Sequence, residues 1–187
     1  MCRKAAGAPC ASACATELDF RGAPIVFWAQ NTMPNIPGLR SPYAKVGRLV
    51  YFGRMLDKIR LHAAGKLPPE YVENIGDSKP GMFDTRCCGF LRVKYDDIRK
   101  CVLGGASDAE VLEWAEKQGG RRSDDECYVW SHFLMKRGWH DPAENIQRLR
   151  QRVRESGLEG KQIETYFDYI DYDEGRHPVA ARSWETV

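Results

Sequence analysis

YFGRMLDKIRLHAAGKLPPEY, residues Tyr51 to Tyr71, carries the strongest helical signal in the chain and also its oddest feature. Placed at 100° per residue, Leu49, Phe52, Met55, Leu56, Ile59 and Ala63 share one broad face. Val46, Val50 and Leu61 cluster on the opposite side, with Arg54 and Asp57 among them. Tyr51, Lys58 and His62 form a third strip between the two. A helix that is apolar on two sides is packed on two sides. An unpaired charge inside it costs several kcal/mol. The charges must therefore pair, reach water or line a cavity. Arg54 and Asp57 are three residues apart and within reach of each other, and Asp57 also reaches Arg60.

This helix is expected to open at Ser41-Pro42, with Ser as the cap and Pro in the first turn, and to end at Ala64 before Gly65. Further helices are expected from Pro68-Pro69 to Ile75, over Phe83 to Arg92, and over Tyr95 to Leu103 before Gly104-Gly105. Ser107 with Glu110 and Ser123 with Glu126 are capping boxes that open two more. Asp141-Pro142 opens a helix to Ser156, and a last one covers about Lys161 to Ile170. No run shows the alternation of a strand beside a hairpin turn, and no fixed repeat marks a solenoid. The expected fold is all-α, a compact single-domain bundle of about seven mostly short helices over residues 33–187.

Residues 1–32 lack periodicity and are rich in Ala, Gly and Cys, and read as a disordered or loosely attached tail. Met33, just before the ordered-looking sequence, is a candidate translation start. The stretch AAGAPCASACA after Arg3 and Lys4 lacks the Leu, Ile or Phe of a signal peptide. The cysteine count of seven is odd, without C-x-x-C, which points to a reducing, cytoplasmic compartment rather than a disulfide framework. A net charge of +2 argues against a nucleic-acid partner, and no apolar run is long enough to span a membrane.

The second unusual stretch is YFDYIDYDEGRHP, Tyr166 to Pro178. Asp168, Asp171, Asp173 and Glu174 gather near the expected carboxyl end of a helix, where negative charge is disfavoured. A cation is expected nearby, and the carboxylates are expected to fold back toward Arg54, Lys58 or Arg60. The spacing is not that of a calcium-binding loop, since Gly175 comes a residue early and the closing Glu is missing. Cys87-Cys88 reads as a pair of small buried apolar residues rather than a nucleophile. His62, His132, His140 and His177 are scattered without ligand spacing, so no metal site is expected. No phosphate-loop motif is present. RLRQRVR, Arg148 to Arg154, reads as a solvated helix face, and Trp114, Trp130 and Trp139 as core residues.

IPGLRSPYAKVGRLVYFGRMLDKIRLHAAGKLP, FDTRCCGFLRV, ASDAEVLEWA and YFDYIDYDEGR together resemble a bacterial family termed domain of unknown function 5069, over about Ile36 to Arg176. The resemblance implies one small domain that begins near Met33. It brings with it no activity, cofactor or catalytic residue.

Two functions follow from the residues. In the first, a polar pocket between helices binds, and turns over, a small anionic metabolite. Arg54, Lys58, Arg60 and Tyr51 contact the ligand, Asp57 and His62 exchange protons, and Asp168 and Asp171 hold the bases in place, with no cofactor. In the second, the same charges are internal ties in a non-catalytic interaction module. A cavity of roughly 300 Å3 or more against Arg54, Asp57 or Lys58 favours the first. A filled core there and an exposed apolar patch elsewhere favour the second.

Overall fold

The computed structural model describes residues 35–178. The tail expected over residues 1–32 and the start at Met33 lie outside the described residues. Within them the chain is helical, and its one sheet is a two-stranded hairpin. The hairpin pairs β1 (Lys45–Val46) with β2 (Leu49–Val50), antiparallel, with Val46 opposite Leu49. Eight helices follow: α1 (Phe52–Ala63), α2 (Pro69–Val72), α3 (Phe83–Leu91), α4 (Tyr95–Leu103), α5 (Asp108–Gly119), α6 (Asp124–Met135), α7 (Ala143–Glu155) and α8 (Tyr166–Asp173). Among the described residues, no helix is long and apolar enough to cross a membrane.

The first helix begins eleven residues after Ser41, a correction to the expected boundary. Ser41-Pro42 forms a turn instead. The Ser41 carbonyl accepts from the Ala44 amide at 3.1 Å, and the Pro42 carbonyl from the Tyr51 amide at 2.9 Å. Tyr51 then sits at φ 65°, a left-handed conformation that no helix can run through, so α1 starts at the next residue. Val46 and Val50 thus belong to the hairpin and pack against its neighbours α5 and α6, not to a second face of α1.

α1 is nonetheless enclosed. Every residue from Phe52 to Ile59 is buried, including Arg54, Asp57 and Lys58. Its apolar residues Phe52, Met55, Leu56 and Ile59 join Leu91, Ile98, Val111 and Leu134 in one core. Phe167 of α8 closes that core, edge-on to Tyr43 with ring centroids 5.2 Å apart and stacked near Tyr51 at 6.0 Å. Trp114 and Trp130 pack against the core, whereas Trp139, expected inside, is 46% exposed in the α6–α7 turn. The cysteines Cys87, Cys88 and Cys127 are buried and unbridged, and burial pushes the Cys88 thiol up to about 12, a poor setting for a nucleophile.

Both expected capping boxes form. Ser123 and Glu126 exchange bonds of 3.1 and 2.7 Å, and Ser107 accepts from the Glu110 amide while Glu110 accepts from the Ser107 amide. A third box opens α8, between Thr165 and Asp168. The last helix thus starts at Tyr166 rather than Lys161. Asp168 lies in its first turn, where the helix dipole favours a carboxylate, rather than at its carboxyl end as expected.

Two glycines mark close approaches. A Cβ on Gly53 would stand 2.6 Å from the Arg40 guanidinium, and one on Gly119 would stand 1.7 Å from the Leu91 carbonyl oxygen. The second neighbour is backbone and cannot swing away, so the carboxyl ends of α3 and α5 cross only because Gly119 has no side chain. Gly119→Ala is expected to lose about 2–4 kcal/mol of stability by forcing these ends apart. Chemical denaturation reads this directly, and a wild-type midpoint would refute the crossing.

Candidate functional site

The three buried charges of α1 point in three directions, and each finds its counter-charge far along the chain. Lys58, 3% exposed, donates to Asp84 of α3 at 2.6 Å, to the Tyr51 hydroxyl at 3.0 Å and to the Asn74 carbonyl at 3.2 Å. Asp84, fully buried, also accepts from Tyr51 at 2.8 Å and from the Gly76 amide at 3.1 Å. All three ammonium protons and both carboxylate oxygens are engaged. Burial lowers the Lys58 ammonium from its ordinary value, against the pull of Asp84. Burial, followed by the Asp84 charge, holds the Tyr51 phenol far above its usual range.

Arg54, one turn before Lys58 on the same side of α1, forks onto Glu174, just past the end of α8. Its Nη1 donates at 3.0 Å to one oxygen and at 2.8 Å to the Arg40 carbonyl, and its Nη2 donates to the other oxygen. Glu174 also accepts from the Tyr71 hydroxyl at 2.7 Å and from Arg176. Burial alone would raise the Glu174 carboxyl, but Arg54, Tyr71 and Arg176 together hold it below its ordinary value. The fold-back expected of the C-terminal carboxylates is therefore made by Glu174. Asp171 does not reach α1. It accepts from Ser41 at 2.6 Å and pairs with Arg176 at 3.3 Å, and burial raises its carboxyl despite both. Asp168 accepts from the Tyr43 hydroxyl at 2.6 Å as well as capping α8.

Asp57 faces a third way. Arg40 grips it with Nε and Nη2 at 2.6 Å each and with its backbone amide at 3.1 Å. Asp108 extends the group, pairing with Arg40 and with Arg60 at 2.7 Å each. Arg60 stands 3.7 Å from Asp57, the contact expected from their spacing, whereas the pairing of Arg54 with Asp57 does not form. His62 is exposed near the end of α1. The expected site residues thus fall into three ionic groups, two of them joined by the Arg54 bond to the Arg40 carbonyl, with Asp168 among hydrogen bonds from Tyr43, Glu164 and Thr165 and His62 at the surface.

A cavity of ligand size lies elsewhere. A cleft of about 510 Å3 runs between α7, the α6–α7 turn and the α7–α8 connection, and its lining includes none of Arg54, Asp57 or Lys58. Leu149 and Val153 contribute an apolar floor, Trp139 and His140 one wall, and Arg150, Arg154 and Lys161 its cations, with Glu159 and Glu164 also present. Among the described residues, Arg150, Arg154 and Lys161 make no ion pair. His140 holds a left-handed backbone, φ 53°, with its ring edge-on to Trp139, centroids 4.2 Å apart. A non-glycine residue in that conformation costs of order 1 kcal/mol or more, and Tyr51 and Arg92 share it away from the cleft. The run RLRQRVR supplies two of these cations, Arg150 and Arg154, although its periodicity alone reads as a solvated face. Among the described residues, no cluster of three or more His, Cys, Asp or Glu stands ready for a metal ion.

Compared with known proteins, residues 36–176 match the model of the family described as Domain of unknown function (DUF5069). No curated protein matches the chain.

The ion pairs make two predictions. Lys58→Met leaves Asp84 charged and dry, and is expected to cost about 3–5 kcal/mol, while adding Asp84→Leu recovers much of it, because a packed apolar pair replaces a buried ionic one at little cost. A single variant within about 1 kcal/mol of wild type in urea denaturation would show the pair is not desolvated. The second concerns acid. With its folded pKa below the unfolded value of about 4.5, Glu174 adds stability above that pH and loses it as the pH falls through the folded value. Glu174→Gln is expected to flatten this part of the acid limb in denaturation curves recorded from pH 6 downward, at the expense of lower stability at neutral pH. An acid limb unchanged in slope would assign the sensitivity to other carboxylates.

Proposed function

Because the chain belongs to the family of domain of unknown function 5069, a family that names no activity, we propose a function from the cleft itself: it binds a small organic anion that has an apolar body. The observation that supports this is the pairing of an apolar floor with cations that no carboxylate among the described residues neutralises. Arg150 and Arg154 are four residues apart on α7 and lie on one face, so one anionic group can meet both guanidinium groups. Ile146, Leu149 and Val153 follow the same face and offer a dry surface to the rest of the molecule. The volume is within the range of small-molecule sites, about 300–1,000 Å3. Glu159 and Glu164 disfavour ligands of high negative charge, so a single carboxylate or monophosphate fits best.

The reading keeps the ligand class expected from the sequence and moves its location. None of the buried charges of α1 lines this cleft, and each is paired with a counter-charge. Their role is to hold the elements together, including α8, whose preceding connection lines the cleft. Asp57, His62 and the other α1 residues are proposed to take no part in ligand contact.

A thermal-shift panel of inorganic phosphate, short aliphatic carboxylates, aromatic carboxylates and monophosphate esters tests this. A ligand at a hundred times its Kd stabilises by about 2.7 kcal/mol, a readable rise in melting temperature. The rise is expected to vanish in the Arg150→Ala, Arg154→Ala double variant. It is expected to persist in Lys58→Met, from a lower starting point. No response from any member of the panel, or a response the double variant retains, would end the proposal.

A further inference from the structure

α6 carries a face that this chain leaves uncovered. Its inner side, Cys127, Ser131, Leu134 and Met135, is buried. Outward, Tyr128 is 64%, Val129 66% and Phe133 44% exposed, and what calls for an explanation is that the three adjoin on one helix, since single surface apolar residues need none. Val129, Trp130 and Phe133 continue into a shallow apolar groove with Phe90 of α3. Arg86 and Arg137 lie over the Phe133 ring at 5.6 and 5.7 Å, yet the side chain keeps its 44% exposure.

The charges around this face show what covers it. At 100° per residue, Asp125, Val129, His132, Phe133 and Lys136 form one outward strip. Asp125 stands at its amino end and Lys136 at its carboxyl end, and among the described residues neither makes an ion pair. Lys136 rests instead over the Trp139 ring at 5.4 Å. The strip is therefore complementary to itself when reversed. We propose that two copies of this chain associate through α6, antiparallel about a twofold axis that passes between the levels of Trp130 and Ser131. In that register Asp125 of one copy meets Lys136 of the other, Tyr128 meets Phe133, and Val129 meets His132. A parallel arrangement would set Asp125 against Asp125 and add the helix dipoles, whereas the antiparallel one opposes them. The groove at Phe90 widens the contact toward the roughly 800 Å2 per partner of a stable interface, and a single short helix with that flank makes a weak dimer. This surface is separate from the anion cleft, and the proposal does not depend on it.

Sedimentation velocity of the full chain from micromolar to millimolar concentration tests the pairing. Wild type is expected to shift from monomer to dimer within that range. Asp125→Lys and Lys136→Asp are each expected to weaken self-association about tenfold, because each sets two like-charged pairs across the axis. Mixing the two variants is expected to restore a heterodimer, since every contact between the unlike chains is then of opposite charge. Val129→Glu, at the centre of the strip, is expected to abolish association with the helical content unchanged, and it decides the matter should a charge reversal fail to fold. A chain that stays monomeric throughout overturns the proposal. So does a dimer that tolerates Val129→Glu, or one that gains nothing when the reversed chains are mixed.

Discussion

Three ionised side chains buried within five residues of one helix constrain everything else in this fold. Arg54, Asp57 and Lys58 leave water together, and the cost of leaving any one unpaired rivals the net stability of a domain. Each therefore needs a partner brought to a fixed place. Arg40 comes from the turn before the hairpin, Asp84 from the first turn of α3, and Glu174 from the end of α8. Those three partners span the described chain nearly from end to end. The apolar core explains why the helices collapse. The ionic groups select which collapse, because a shifted packing that buried as much carbon would strand a charge.

The same demand accounts for details that look unrelated. Tyr51 adopts a left-handed backbone at the entry to α1, and its hydroxyl sits between Lys58 and Asp84. Gly53 lacks a side chain where the Arg40 guanidinium crosses α1 to reach Asp57. Leu39 and Arg40 give their carbonyls to Arg176 and Arg54, so backbone oxygens share the positive charge that the carboxylates leave over. Local strain and a missing side chain are stabilised by the pairs they make room for.

How far the sequence could be read depends on the range of the interaction. Capping boxes at Ser107 and Ser123 involve residues three apart, and α4 follows from one amphipathic period, so these were legible. The hairpin was not. Two-residue strands carry no alternation to detect, and what ends the helical pattern is the backbone of Tyr51, which no side-chain period encodes. Asp168 reads at the wrong end of its helix because Thr165 is followed three residues on by Asp rather than by the Glu that marks the boxes at Ser107 and Ser123. Arg54 meeting a C-terminal carboxylate was legible because two stretches each had an unbalanced charge of opposite sign. Asp84 and Arg40 were not, since each sits in an unremarkable context and becomes a partner only through tertiary placement. The cleft is invisible for the same reason: its cations are exposed, and only the placement of the turn at Trp139 and of the connection before α8 makes them line one concave surface.

Burial and satisfaction together argue that the α1 cluster is architecture. A group that exchanges protons or grips a ligand must offer a free valence to an accessible space, and Lys58 spends all three protons on protein oxygens. The perturbed pKa values of Lys58 and Tyr51 follow from desolvation, which marks buried structural pairs and active sites alike. What separates the two is access. Arg150 and Arg154 have it and lack partners among the described residues, whereas Lys58 and Arg54 have partners and lack access. The division keeps rigid ionic ties inside a small domain and leaves an unneutralised positive surface outside.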